Sequence, residues 1–173
     1  MKNTRGFTLV ELVITLAVGA ILLTVAIPGM RDVIINNRIA TQTNELVTAF
    51  NLARMEAIRR GTQVSVCASA NKSSCSGNSD WSTGWIVFVD ANATGTPSVS
   101  TVLRTWGELA GSPTVSGDTT YLRYLSSGHA KFTGTPPPYT RTIEHKIDGC
   151  IGTQKRSIAI SAGGRVSTTK LAC

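Results

Sequence analysis

Phe7-Thr8-Leu9-Val10-Glu11-Leu12-Val13-Ile14-Thr15-Leu16-Ala17-Val18-Gly19-Ala20-Ile21-Leu22-Leu23-Thr24-Val25-Ala26-Ile27-Pro28 is the stretch that decides how the rest of the chain is read. A short leader carrying Lys2 and Arg5 precedes it and ends in Gly6. Within the stretch Glu11 is the single charge. As a helix it spans about 31 Å at 1.5 Å per residue, enough to cross the hydrocarbon core of a bilayer. A carboxylate at the centre of a membrane helix costs roughly 2.5–3.5 kcal/mol and is seldom kept without a partner. Glu11 lies one turn inside the start of the stretch, which reads as a new N-terminus, where a neighbouring chain's α-ammonium can neutralise it. An ordinary secretory signal would place small residues at a cleavage site after the apolar core. Val25-Ala26-Ile27-Pro28-Gly29 is a poor version of that site. Lys2 and Arg5 ahead of the apolar run favour a cytoplasmic N-terminus, which puts the body of the protein across the membrane.

Gly6-Phe7-Thr8-Leu9-Val10-Glu11, followed by an apolar run and Pro28, resembles the N-terminus of type IV pilins and type II secretion pseudopilins. The resemblance implies that a prepilin peptidase cuts between Gly6 and Phe7 and methylates the new Phe7 amine. It makes Glu11 the acidic half of an assembly salt bridge to the Phe7 amine of a neighbour. It also implies partners: other major and minor pilins packing by their helices in a filament, with the inner membrane holding the chain beforehand.

Beyond Pro28 the helical period continues to about Arg60. Ile35, Ile39, Leu46, Phe50, Ala53 and Ala57 form one apolar stripe, with Asn36, Arg38, Thr41, Glu45 and Glu56 mostly off it. Pro28, with Gly29 beside it, predicts a kink. After Gly61 the period becomes two. Val64, Val66 and Ala68 alternate with polar residues as in a half-buried strand, and Gly84-Trp85-Ile86-Val87-Phe88-Val89-Asp90 is a strong one. Asn71 to Thr83 reads as a polar loop. Further strands are predicted at 101–106, 120–125, 130–132, 142–147, 157–161 and 165–170, with a hairpin turn at Gly163-Gly164. Thr135-Pro136-Pro137-Pro138 cannot lie inside a sheet. A long helix followed by consecutive strands gives an α+β fold: a long kinked N-terminal helix, transmembrane in its first half, packed on an antiparallel β-sheet domain. The expected divisions are a leader at 1–6, a transmembrane or filament-core helix at 7–28, an amphipathic helix at 29–60 and a β domain at 61–173. About 145 residues beyond leader and anchor suffice for one compact domain.

Val66-Cys67-Ala68-Ser69, Gly84-Trp85 with Val87-Phe88 and Asp90, the Ser127-Gly128 turn and the closing Gly164-Arg165-Val166 look like the FimT/FimU/GspH-type minor pilins and pseudopilins. That likeness implies a minor pilin of a type IV pilus, with the H-type pseudopilin of a type II secretion system as the alternative. Trp85 and Phe88 also read simply as aromatics filling the core or its rim.

The net charge of +7 is unevenly placed, because from Arg123 onward eight Lys or Arg face only Glu144 and Asp148. Such asymmetry suits an anionic partner. Some FimT-like members resemble DNA-uptake receptors with a C-terminal Gly-Arg-x-Arg motif. Here the run is Gly164-Arg165-Val166-Ser167, lacking the second arginine. Lys146, Lys155, Arg156, Arg165 and Lys170 remain as candidates for contacts to double-stranded DNA that follow phosphates without reading bases.

Cys67, Cys75, Cys150 and Cys173 suit an oxidising compartment and allow three pairings. Cys67–Cys75 and Cys150–Cys173 are the favoured pair. No Cys-x-x-Cys is present, and His129 and His145 lie apart, so no metal site and no cofactor are expected. No motif of nucleophilic catalysis occurs. Asp80 and Asp90 read as turn-capping or solvated carboxylates, and Gly163-Gly164 lacks the context of a phosphate loop. The chain is not expected to be an enzyme.

Overall fold

The computed structural model describes residues 7–92, 95–132 and 140–173, with only the backbone of 25–28. Gly6 and the Thr135-Pro136-Pro137-Pro138 loop fall outside them. Helix α1 (Leu9–Arg60) runs for 52 residues, roughly 78 Å. Thr8 opens it as an N-cap, and Gly61 closes it in the left-handed conformation at φ 65°. The stretches Leu9–Thr24 and Gly29–Arg60 meet at a bend of 41°, which brackets Pro28. Pro28 has no N–H to give the helix ladder. No single described helix is long and apolar enough to cross a membrane; the bent pair passes that test together, by length and composition.

Among the described residues nine strands follow: β1 (Val64–Ala68), β2 (Trp85–Asp90), β3 (Val99–Trp106), β4 (Pro113–Gly117), β5 (Tyr121–Tyr124), β6 (Ala130–Lys131), β7 (Thr140–Ile147), β8 (Lys155–Ser161) and β9 (Val166–Leu171). Every pairing is antiparallel, so the fold is α+β. The strands form two sheets, ordered β3-β2-β1-β5-β6 and β4-β7-β8-β9. The sequence pattern suggests a single run of strands and hides β4. Pro113-Thr114-Val115-Ser116-Gly117 begins with proline and carries little apolar weight. It forms at the edge of its sheet, paired along its length with β7 and met on its other side only by a single bridge between Asp80 and Ser116, so its opening proline leaves no ladder bond unmade.

Both sheets share one core beneath the second half of α1. Leu46, Ala49, Phe50, Ala53 and Ala57 pack on Val64, Val66, Val87 and Leu122 of the first sheet and Ile143, Ile158 and Ile160 of the second. Trp81, in the segment expected to be a polar loop, is fully buried edge-on against Phe50 at 5.8 Å between ring centroids. Strand β1 is buried on both faces rather than half-buried. Its outer face is covered by a second small cluster of Cys67, Ile86 and Phe88, with Cys75, Val99 and Tyr121 against it. The Cys67–Cys75 disulfide pins that cover, and Cys150–Cys173 fastens the C-terminus to the segment after β7.

Candidate functional site: helix start and basic sheet

Thr8 and Glu11 satisfy each other at the head of α1. The Glu11 backbone N–H donates to Thr8 Oγ1 at 3.2 Å, and Thr8 donates its own N–H to the Glu11 carboxylate at 3.4 Å. This capping box uses up two of the orphan donors that every helix start leaves. The carboxylate also lies at the positive end of the helix dipole. Phe7 precedes the cap and is largely exposed, so the backbone nitrogen that processing would free lies within about one turn of Glu11. Leu9, Val10, Ile14, Ile21 and Leu22 are exposed as well. A helix apolar on all sides belongs in lipid or in contact with other helices.

The second sheet sorts the five basic candidates by strand alternation. Residues directly paired across a ladder share a face, and His145, Arg156 and Lys170 are such a row. That row lies on the face that carries Ile143, Ile158 and Ile160 towards α1. Arg156 is therefore buried. Its guanidinium donates to the carbonyls of Thr153 and Gln154 and, at 2.8 Å, to Asn36 Oδ1 of α1. Lys170 projects past the same edge, exposed, beside a recess lined by Asp32, Asn36, Ile151 and Gln154. Lys146 and Lys155 lie on the opposite face, where Lys155 meets Glu144 at 2.7 Å. Arg165 is exposed at the β8–β9 turn. Lys155 and Arg156 pair with Leu171 and Lys170 at the far end of the hairpin, about 17 Å of strand away from Arg165.

Among the described residues three polar sets hold the scaffold, two of them buried, and none of them is expected from the sequence. Asp90, read as a turn cap or a solvated carboxylate, forms a fully buried ion pair with Arg123 at 2.8 Å. Burial raises its pKa, but bonds from Ser65, Ser98, Asn92 and Arg123 outweigh that and hold the carboxyl below its usual range. His145 bonds Thr43 through Nδ1 at 2.9 Å and Gln42 Oε1 through Nε2 at 3.0 Å. Because an amide oxygen only accepts, Nε2 carries the proton and Nδ1 accepts the Thr43 hydroxyl. Burial, with the Arg156 charge behind it, lowers the His145 pKa to about 4. The third set joins the two sheets at the end of α1. Arg54 donates to the carbonyls of Gly128 at 3.0 Å and Gly163 at 3.1 Å. Gly164, at φ 78°, lies so close to Gly128 that a Cβ would come 2.1 Å from its carbonyl oxygen. The Ser127-Gly128 and Gly164-Arg165 landmarks are two turns in contact, pinned by Arg54.

A processable apolar helix on an α+β head is the build of a pilin-type filament subunit. The chain matches the family described as Type II transport protein GspH over residues 42–164 and the prokaryotic N-terminal methylation motif over 1–27, and it belongs to the GspH family. Its fold is that of the type IV minor pilin FimU of Pseudomonas aeruginosa strain PAO1. One FimU crystal form (space group P21) is 22% identical, covers 77% of this chain and 89% of that one, and superposes with a TM-score of 0.57. A second (P65), also 22% identical, covers 75% and 91% with a TM-score of 0.54. No curated protein matches the chain.

Proposed function

We propose that the chain is a minor pilin of a type IV pilus, cut between Gly6 and Phe7 and methylated on the Phe7 amine. In this reading residues 7–28 anchor it in the inner membrane with the head in the periplasm. The helix then leaves lipid for the core of the filament, carrying the 29–60 helix and the 61–173 β domain to the pilus surface. One observation carries the proposal: Glu11, the single charge of the apolar stretch 7–28, sits one turn from the nitrogen that cleavage would free. In the isolated chain Glu11 is occupied by its own Thr8. Assembly offers it the ammonium of a neighbour, a stronger charge-assisted partner in a dry setting. Glu11→Ala should leave the protein processed and membrane-bound but strongly depleted from sheared filaments. Unchanged incorporation defeats the pairing. If the depleted structure is instead a secretion apparatus, with pili intact and export lost, the subunit is an H-type pseudopilin.

A second reading, contact with double-stranded DNA, is supported by exposed Lys146, Arg165 and Lys170. Arg156 takes no part in it, because its guanidinium is committed to Asn36 and to backbone carbonyls. Binding of the detergent-solubilised chain to a 30-base-pair duplex across a salt series tests this. Affinity that falls steeply with salt and is lost in Arg165→Ala/Lys170→Ala supports it; no binding at low salt removes it.

A further inference from the structure

The core stripe of α1 leaves an unused arc at its C-terminal end. At 3.6 residues per turn, Arg54, Ile58, Asn51, Met55 and Arg59 follow one another around about 140° of the helix, opposite Leu46, Ala49 and Ala53. Met55 and Ile58 are 60% and 52% exposed, in the one part of α1 that is otherwise firmly packed on the domain. Arg54 borders this apolar centre on one side, where it grips the Gly128 and Gly163 carbonyls, and Arg59 borders it on the other with its side chain 65% exposed. Ile58 lies against Gly128, so exposed His129 follows directly, and exposed Arg165 follows Gly164 on the adjoining turn. Among the described residues of this helix end and its two turns, Glu56 is the one acid, and it is held between Arg59 and Arg60.

We infer that this patch docks another protein: a filament subunit that presents an apolar residue ringed by carboxylates to the membrane-distal end of the head. An apolar centre with an arginine rim is the make-up of a protein interface, where a desolvated hydrophobic anchor and neighbouring Arg carry most of the affinity. Met55 adds an adaptable surface for an irregular knob. A phosphate backbone would use the arginines but gain nothing from Met55 and Ile58. Direction follows from the helix itself. Residues 7–28 point one way along the axis and Arg60-Gly61 the other, so a subunit added along that axis meets this end. The inference rests on the filament reading above. It goes further by naming which end of the head receives a partner and with what chemistry.

The test measures the share of the full-length chain in sheared filaments from cells expressing all native subunits. The variants are Ile58→Asp, Arg59→Glu/Arg165→Glu and the milder Met55→Ala, with Glu11→Ala in parallel. The two charge-bearing variants should be processed and present in membranes at wild-type levels, yet lose about tenfold or more of their incorporation, and Met55→Ala should lose a measurable part. Arg59→Lys/Arg165→Lys, which keeps the charge, should restore most of it. Wild-type incorporation of the charge-bearing variants overturns the inference. So does normal incorporation joined to loss of binding to a 30-base-pair duplex, which would make the patch a polyanion site. If Glu11→Ala loses incorporation while the patch variants keep it, only this inference fails. If wild type itself never enters filaments, the filament reading fails with it.

Discussion

Lowering the pH from 7 to 4.5 should destabilise the head through His145. The imidazole is buried, donates through Nε2 to Gln42 and accepts through Nδ1 from Thr43, so a second proton would reverse the Thr43 bond and place a charge in a buried site beside Arg156. Arg156 is in the adjoining register position and Lys170 in the next, while no carboxylate has a hydrogen bond or ion pair with the ring among the described residues. The folded-state pKa is about 4 against an ordinary 6.5. A histidine with a depressed folded pKa imposes no penalty above the unfolded value, and its penalty grows as pH falls from 6.5 towards 4. Linkage over that shift gives a loss on the order of 2 kcal/mol at pH 4.5 relative to pH 7. For a head of this size the loss is a fall in Tm of roughly 5–8 °C. Asp90 titrates below its ordinary range and so lies outside this window. Urea unfolding of the detergent-solubilised chain at pH 7, 6, 5.5, 5 and 4.5 measures the slope. His145→Gln keeps an amide donor and acceptor but cannot titrate, and it should flatten that slope even if its stability at pH 7 is lower. An equal slope in wild type and His145→Gln, or an imidazole that titrates near 6.5 by NMR, refutes the reasoning.

Three further outcomes follow from the same contacts. Arg123→Ala leaves the Asp90 carboxylate buried and unpaired and should cost about 3–5 kcal/mol in urea unfolding, whereas removing both charges in Asp90→Ala/Arg123→Ala should cost less than the two single changes added together. Gly164→Ala places a Cβ on the Gly128 carbonyl at a positive φ, so it should cost at least about 2 kcal/mol, with Gly163→Ala nearly neutral because only the Ser161 hydroxyl lies near. Opening Cys150–Cys173 by Cys173→Ser frees a bridge between residues 23 apart and should lower stability by about 3 kcal/mol, read as a fall in the urea midpoint.

The fold was legible wherever side-chain periodicity reports burial directly. The stripe Ile39, Leu46, Phe50, Ala53, Ala57 and the runs of β2, β7 and β8 are what a helix and strands on a shared core must show. Division into two sheets was not legible, because β4 carries only Pro113 and Val115 inward and pairing partners are a long-range property. Trp81 was hidden among serines and asparagines, since one large buried ring makes no periodic signal. At the basic sheet a signal existed and was overridden by charge. Arg156-x-Ile158-x-Ile160 and Ile143-x-His145-x-Ile147 put both polar residues on the inward phase of their strands. Reading that phase would have withdrawn Arg156 from a phosphate surface and pointed to His145 as a core residue with partners. The Arg54 clamp left no local trace, because its acceptors are backbone carbonyls more than seventy residues away. At the helix start, Thr8-x-x-Glu11 is a capping box readable from spacing alone, and the structure adds it to the assembly role proposed for the same carboxylate.

Mass spectrometry of the N-terminal peptide from protein recovered in sheared filaments tests the account most directly. The expected peptide begins at Phe7, carries a methyl group on its α-nitrogen and contains Glu11 unmodified. A chain found only in membranes and beginning at Met1, or one cut after the apolar run near Ala26, would contradict it.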